Sequence, residues 1–366
     1  MSFFLRLDYE KIKNPGFFKE NCLPLHSDHL YFRNEQELLL EESSFFYSLR
    51  GLWKFHYAKN YASCIPGFEK REYPCLGWDE IHVPAHIQME GYDVPQYANV
   101  QYPWEGREDI RPGQIPEFFN PVASYVKYFT VPKHMEGEPL CIAFEGVESA
   151  FALWLNGEYI GYHSDSFTTA EFDLTKALWP GENKLAVQVF KWSAGSWCED
   201  QDFFRFSGIY RDVYLFTRPG VHVEDLRLQA LPAPDLSSGL LQAAVKCNGK
   251  GRGEYFLSFD GKRVLQGSCA LGETCSIEER VEAPRLWSAE TPHLYTLVIK
   301  VYDQEGQLRE IIKEQVGFRR FEIKDSVMYL NNQRIVFCGV NRHDFSSIFG
   351  RAITKEEMEK DLRIMK

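Results

Sequence analysis

Apolar and polar residues alternate along most of this chain in short runs that end at turn residues. The alternation continues on both sides of Asn156-Gly157, and Asn-Gly favours the positive backbone angles of a two-residue hairpin turn. Further on, Leu185 and Val187 fall on one face of a predicted strand. Sheets with this alternation bury one face, so two of them must pack together. Residues 1–218 are therefore predicted to form one large β-sandwich of the jelly-roll kind.

A second run of predicted strands follows the turn residues Pro219-Gly220. It contains a further hairpin signal at Asp260-Gly261. About 100 residues with short strands at this spacing are typical of a small immunoglobulin-like sandwich. We predict that architecture for residues 219–321, although the paired cysteines and core tryptophan of antibody domains are lacking.

The pattern changes in residues 322–366. Predicted strands are followed by Thr354 and, three residues later, Glu357, which is the capping-box pattern that opens a helix. Met358 and Leu362 then begin an apolar stripe at helical spacing. A strand followed by a short amphipathic helix is how an α/β unit begins, and one such unit cannot bury itself.

Composition narrows the classes of function. The net charge is −11 and the sequence contains no run of basic residues, which argues against a nucleic-acid partner because phosphate binding needs clustered Lys and Arg. The nine cysteines are odd in number and none are spaced C-x-x-C, so we expect reduced thiols rather than a disulfide framework or a zinc site. With neither a signal-peptide pattern nor a membrane-spanning segment, we expect a cytoplasmic protein that does not enter a membrane.

One segment combines acids and aromatic residues in an unusual way. Glu199, Asp200 and Asp202 fall within four positions, directly before two phenylalanines and a Ser-Gly turn. A solvated loop would not need the aromatics, and a core strand would not tolerate the acids. From spacing alone, the plain interpretation is that Asp202 pairs with Arg205 or Arg211 and orders the loop, since structural ion pairs are common.

Six motifs, in order, resemble the large β-galactosidases of glycoside hydrolase family 2. The resemblance runs over nearly the whole chain, and it implies a jelly-roll sugar-binding domain over residues 1–218, an immunoglobulin-like domain over 219–321 and, in 322–366, the first strand and helix of a (β/α)₈ catalytic barrel. The motifs are LRGLWKFHYA (49–58), WDEIHVPAHIQMEGYDVPQYANVQYPW (78–104), FFNPVASYVKYFTV (118–131), WSAGSWCEDQDFFRFSGIYRDV (192–213), GFRRFEI (317–323) and LNNQRIVFCGVNRHDF (330–345).

The resemblance implies an activity and a role for Asp202. Family members of this type hydrolyse terminal β-D-galactosides such as lactose with retention of configuration. Asp202 matches the acid that reaches into the active site and binds galactosyl hydroxyls and a sodium ion. A carboxylate suits that role because it accepts several hydroxyl donors and is a hard oxygen ligand.

Two further residues match family contacts to the sugar. Asn120 matches an asparagine that contacts the substrate, and the alternative for an Asn-Pro sequence is turn chemistry. His343 matches a histidine at the end of the first barrel strand, where barrel active sites lie, and the alternative is a structural histidine. Trp104 and Trp197 are interpreted either as sugar platforms or as core tryptophans.

We assign no catalytic residue to this chain. A retaining glycosidase needs a pair of carboxylates, one as acid/base and one as nucleophile. In the family both glutamates, and the magnesium ligands, lie on later strands of a barrel that needs about 250 residues. We therefore expect the chain to be the amino-terminal part of such an enzyme and to be inactive by itself.

Other functions remain open at this level. The same architecture occurs in family 2 β-glucuronidases and β-mannosidases. A different class is a non-catalytic carbohydrate-binding or assembly module, which the missing carboxylates would favour. The family's habit of assembling implies a homo-oligomer.

Overall fold

Short antiparallel strands are the main regular elements of the structure, a computed structural model that describes residues 7–366. The mainly β fold predicted from the alternation is thereby confirmed. Two units can be separated by their internal contacts. The first comprises residues 7–24, 46–217 and 342–366, and the second comprises residues 25–45 and 218–341.

Sixteen strands lie between residues 7 and 218. In chain order, β1 to β16 are Lys19–Glu20, Tyr31–Phe32, Phe46–Ser48, Gly51–Ala58, Asp79–Val83, Gln96–Ala98, Val122–Thr130, Leu140–Phe144, Val147–Glu148, Ala150–Leu155, Glu158–Ser164, Ala170–Asp173, Glu182–Phe190, Phe203–Arg205, Gly208–Ile209 and Val213–Thr217. Two α-helices lie among them: α1, Glu35–Leu40, and α2, Ser196–Glu199.

Ten strands and one helix follow. Strands β17 to β26 are His222–Pro232, Ser238–Asn248, Gly251–Phe259, Lys262–Leu271, Thr274–Glu282, Tyr295–Asp303, Leu308–Val316, Phe321–Lys324, Val327–Leu330 and Gln333–Arg334, and helix α3 is Lys355–Met365. Across residues 7–366, no helix combines the length and apolar composition needed to cross a membrane.

The first unit is a sandwich of two main sheets. One has seven strands in the order β1-β11-β10-β13-β7-β4-β5, and the other has four in the order β12-β8-β16-β3. Phe151 and Val187 from the seven-stranded sheet share a buried core with Ile142 and Leu215 from the four-stranded sheet. The predicted hairpin at Asn156 is confirmed, because β10 pairs with β11 across a turn whose two central residues have positive φ.

The central strands β10 and β13 of the seven-stranded sheet are buried on both faces, which differs from the single buried face that we predicted. Leu185 and Val187 point into the core between the sheets, as expected. On the opposite face, Ala186 and Trp154 pack against Phe68, in the segment that connects β4 to β5. That segment covers the outer face, so strands β10 and β13 lose contact with solvent on both sides.

The second unit is a smaller sandwich of a three-stranded sheet, β17-β18-β21, and a five-stranded sheet, β2-β23-β22-β19-β20. In β22, Leu297, Ile299 and Val301 are buried and alternate with half-buried residues. The immunoglobulin-like architecture is confirmed. Residues 25–45 pack in this unit because β2 pairs with β23, whereas the predicted boundaries at residues 218 and 321 remain predictions.

The segment that resembles the start of a barrel contains the predicted helix. The capping box of α3 is confirmed: the Thr354 side chain accepts from the Glu357 amide, and the Glu357 side chain accepts from the Thr354 amide. Within the described residues, 335–345 form no strand ladder, because a parallel strand forms only where a neighbouring strand supplies partners. Leu362 and Ile364 on α3 are exposed.

Candidate functional site

Asp202 lies in the turn between helix α2 and strand β14. Its φ is +51°, in the left-handed region that costs a non-glycine residue roughly 1–2 kcal/mol and that Asp tolerates better than most residues. The residue is exposed. Strand β14 pairs with β6, with Phe203 opposite Ala98, so this short ladder fixes the turn that presents Asp202.

The carboxylate of Asp202 has one strong partner. The Tyr97 hydroxyl donates to Oδ1 at 2.5 Å, and this hydrogen bond raises the pKa of Tyr97 because it is lost when the phenol ionises. A carboxylate has about four acceptor positions. An exposed Asp202 with one bound hydroxyl can therefore accept further donors, which is what binding of a polyhydroxylated ligand needs.

The two arginines that the sequence suggests as partners of Asp202 are engaged elsewhere. The Arg205 guanidinium lies 3.7 Å from Oδ1 of Asp200 and donates to the carbonyl of Phe203. The Arg211 guanidinium donates to the carbonyl of Phe167. Among the described residues, the ion-pair interpretation of this acidic segment thus applies to Asp200 and not to Asp202.

His343 lies beside the two phenylalanines that follow Asp202. The centroid of its ring is 5.9 Å from that of Phe204, in an edge-to-face arrangement, and 6.5 Å from that of Phe203. The imidazole is exposed. Two of the three residues predicted as sugar contacts therefore border the same aromatic patch, although they are far apart in sequence.

Asn120 is not on this surface in the structure. Its side chain is fully buried. The amide group donates to the carbonyl of Trp192 and accepts from the amide N–H of Trp192, both at 2.9 Å. The Asn120 amide thereby pairs with the backbone of Trp192 as a neighbouring strand would. This buried structural role corrects the prediction that Asn120 contacts the sugar.

Sequence reasoning missed Asn99. This residue directly follows β6 and Asp202 directly precedes β14, so the two flank the same end of the ladder, where Phe203 lies opposite Ala98. It is exposed, and an amide can both donate to and accept from hydroxyls. No local signal marks Asn99, because only the pairing of β6 with β14 brings it to Asp202.

Trp104 is a core residue. Its ring packs against those of Tyr102, Trp192 and Trp197 at centroid distances of 5.2, 5.9 and 4.9 Å. It is 2% exposed, so the interpretation as a core tryptophan describes it better than the interpretation as a sugar platform. Trp197 is half-buried, and its Nε1 donates to the carbonyl of Gln114.

Buried ionisable groups lie close to this surface. Burial raises the pKa of Asp200 to about 7, against the opposing effect of Arg205. Burial also raises the pKa of Glu148, although Arg351 beside it favours the anion. Burial lowers the pKa of His86 well below its usual value, and the nearby cation of Arg351 adds to that effect. The imidazole is therefore neutral at pH 7.

Three family models match consecutive parts of the chain. Residues 46–219 match the sugar binding domain of glycosyl hydrolases family 2, residues 221–319 match the domain described as glycosyl hydrolases family 2, and residues 321–366 match the family's TIM barrel domain. Together the three models account for nearly all of the chain after residue 45.

Curated relatives are named β-galactosidases. The chain is 46% identical to the β-galactosidase of Halalkalibacterium halodurans over 97% of its own length and 36% of that protein. It is 39% identical to the β-galactosidase large subunit of Lactobacillus helveticus, over 97% of this chain and 59% of the relative. The chain thus spans between a third and three fifths of the length of such relatives.

Solved structures share the fold. The β-glucuronidase of Ruminococcus gnavus superposes with a TM-score of 0.69 at 19% identity, over 94% of this chain and 54% of that one. A β-glycosidase from Bacteroides vulgatus gives 0.70 at 22% identity, over 87% and 40%. At such identities the likeness concerns the fold alone. The family models and the curated relatives together show that the chain belongs to glycoside hydrolase family 2.

Proposed function

We propose that this chain forms the substrate-binding side of an active site that hydrolyses terminal β-D-galactosides, such as lactose, with retention. Relatives at 39–46% identity that carry the name β-galactosidase support the substrate class. The observation that carries the proposal is the exposed Asp202 carboxylate, held in a left-handed turn directly before Phe203, whose ring lies 6.5 Å from that of His343. A residue kept in a sparsely populated conformation at the surface is a common mark of a functional position.

Each proposed contact follows from side-chain chemistry. Asp202 accepts hydrogen bonds from sugar hydroxyls, and Asn99 at the same end of the β6–β14 ladder can donate or accept. The His343 imidazole bonds another hydroxyl. Phe204 offers an aromatic face on which the apolar C–H face of a galactosyl ring can pack. This combination binds a neutral sugar.

Metal binding by these residues would be partial. Asp202 is a hard oxygen ligand of the kind that sodium prefers, and it is exposed. Within residues 7–366, no group of three or more His, Cys, Asp and Glu could hold a metal ion. The chain would therefore supply one ligand to a sodium site, and we assign no magnesium ligand to it.

The charge at the site discriminates between related substrates. A glucuronide carries a carboxylate, which Asp202 would repel at short range, whereas a galactoside is neutral. This argues against β-glucuronidase activity in spite of the shared fold. We assign neither catalytic glutamate to these residues, and we expect no measurable turnover of lactose by the chain alone.

The test is a titration of the chain with methyl β-D-galactoside, monitored by NMR, once in sodium chloride and once in choline chloride. We expect weak binding that is strengthened by sodium and reduced at least tenfold in Asp202→Asn. Asp260→Asn is the matched control, because Asp260 is also an exposed aspartate with positive φ, at 48°. Binding unchanged in Asp202→Asn would contradict the assignment and favour a carbohydrate-binding module with its contact elsewhere.

We also propose self-association, which the resemblance to a family of enzymes that assemble into oligomers implies. The relative from Lactobacillus helveticus is named as a large subunit, and assembly with a second kind of chain is the alternative to self-association. Light scattering coupled to gel filtration distinguishes the two kinds of assembly. We expect the purified chain to form a homo-oligomer, and a single protomer at micromolar concentration would contradict self-association.

A further inference from the structure

Arg351 inserts a charged group into an aromatic cage. Its side chain is 8% exposed, and its guanidinium lies 4.5 to 5.7 Å from the centroids of four rings, those of Phe167, Phe203, Phe206 and Tyr210. One of these rings belongs to the residue that follows Asp202. An arginine is favoured in such a cage because its planar cation stacks on aromatic faces.

The partner of Arg351 is equally buried. Glu148, at the end of β9, is 4% exposed and forms an ion pair with the Arg351 guanidinium. Strand β9 pairs with β15, with Glu148 opposite Gly208. The ion pair therefore ties the segment after residue 342 to strands that lie next to the Asp202 turn.

The residues just before Arg351 form a closed loop. The amide N–H groups of Ser346 and Gly350 each donate to the other residue's carbonyl, at 2.7 and 2.9 Å. Gly350 has a φ of +63°, and a Cβ there would lie 2.9 Å from Cδ2 of His86. Glycine is thus required by both the backbone conformation and the close approach of the buried imidazole.

The other end of the loop is fixed by ring stacking. Phe345 stacks on Phe204 with a centroid distance of 4.5 Å and an interplanar angle of 20°. His343 precedes Phe345 by two residues and touches the same ring. The path from the buried ion pair to His343 is therefore continuous: Arg351, the closed loop, Phe345 and then the imidazole.

We propose that Arg351 is a positioning residue, whose buried ion pair with Glu148 holds residues 343–350 so that His343 borders the same surface as Asp202. An apolar side chain could fill the aromatic cage in more than one way, whereas a buried guanidinium is stable only where it meets its carboxylate. The consequence for sugar binding rests on the function proposed above. The consequence for the loop does not.

The experiment compares Arg351→Met, the double variant Glu148→Leu/Arg351→Met and a surface control. Arg363→Met is the control because Arg363 forms an exposed ion pair with Glu359 on α3. Three quantities are measured on each: urea unfolding, hydrogen exchange of the Ser346 and Gly350 amides relative to Val187 in β13, and the Kd for methyl β-D-galactoside.

For Arg351→Met we expect Ser346 and Gly350 to exchange at least tenfold faster relative to Val187, and the sugar Kd to rise at least fivefold. The double variant leaves no unpaired charge, so its urea unfolding midpoint should return toward that of the unaltered chain. Hydrogen exchange of the Ser346 and Gly350 amides should nevertheless stay fast. This separates positioning from stability, because a merely structural pair would restore both. Arg363→Met should change none of the three.

Two outcomes would overturn the proposal. One is loop exchange that follows the unfolding midpoint across all variants, and the other is loop exchange that does not change in Arg351→Met. If the unaltered chain binds no galactoside, the proposed function fails. The exchange of the loop amides still decides whether Arg351 positions the loop.

Discussion

Polar groups occur in two contrasting settings within the first unit. Asp202 and His343 are exposed and border an aromatic patch. Glu148, Arg351 and Asp200 lie close by but are almost fully buried, and each depends on a protein partner. Water solvates the first set, so its hydrogen-bonding capacity stays available to a ligand. The second set has no such freedom, and its value lies in fixing where the first set stands.

Two asparagines show the same contrast with identical chemistry. Asn120 is buried and both groups of its amide bond the backbone of Trp192. Asn99 is exposed, at the same end of the β6–β14 ladder as Asp202. The side chains differ only in their surroundings, which means that an asparagine in the correct motif is not by itself a binding residue.

The largest expected effect is that of leaving Arg351 without its partner. Glu148→Leu buries an unpaired guanidinium that cannot lose its proton, and such a loss costs about 3–5 kcal/mol of unfolding free energy. Arg351→Met leaves Glu148, which can instead take up a proton as the pH falls. Urea unfolding at pH 7 and pH 5 should therefore show recovery at pH 5 for Arg351→Met alone. Equal pH responses would mean that the pair is not buried as the structure has it.

The next effect concerns the pH dependence of stability. The pKa of Asp200 is raised to about 7 by burial, against about 3.9 in an unfolded chain. A carboxyl with the higher pKa in the folded state binds its proton more tightly there, so its contribution to stability is full below pH 4 and is lost as the pH rises to 7.

Asp200→Asn should remove the part of the pH dependence of stability that Asp200 contributes. The difference in unfolding free energy between Asp200→Asn and the unaltered chain should change by a few kcal/mol between pH 4 and pH 7. Comparing the two proteins removes the contributions of Glu148 and Glu199, whose pKa values are also raised. Parallel pH profiles would contradict the assignment to Asp200.

A smaller effect distinguishes the two asparagines. Asn120→Ala leaves the buried N–H and carbonyl of Trp192 without partners, which costs about 1–3 kcal/mol. Asn99→Ala, the matched control, should change the unfolding free energy by less than about 0.5 kcal/mol yet weaken galactoside binding. Thermal unfolding measures the change in stability, and a sugar titration measures the change in galactoside binding. An unaltered stability in Asn120→Ala would show that its buried bonds contribute little.

The smallest effect is expected at Gly350. A non-glycine residue in the left-handed region costs roughly 1–2 kcal/mol, and part of that cost is offset by the lower entropy of the unfolded chain. Gly350→Ala should therefore lower the unfolding free energy by about 1 kcal/mol, with further loss where the new methyl group meets His86. Gly306→Ala, at a φ of +77° with open space around it, is the control for the steric part.

Local features of the fold could be predicted because their causes lie within a few residues. The turn at Asn156 depends on two residues that tolerate positive φ, and the cap at Thr354 on a partner three residues away. The burial of both faces of β13 could not be predicted, because Phe68 and its neighbours, more than a hundred positions away, cover the outer face.

The candidate site divides in the same way. Asp202 and His343 could be singled out from motifs, and the structure brings them to one aromatic patch. Asn120 occupied a motif position as well, yet its burial gives it a different role. Asn99 could be recognised only after β6 was seen to pair with β14, since that pairing depends on residues about a hundred positions apart.

The sequence by itself determined the strands, the turns and the family to which the chain belongs, because alternation, turn residues and motif order are written directly in the order of side chains. Only the tertiary structure decided which polar groups face solvent and which are buried. Burial depends on what distant segments cover a side chain, and the cost of removing a charge from water then selects partners such as Glu148 and Arg351.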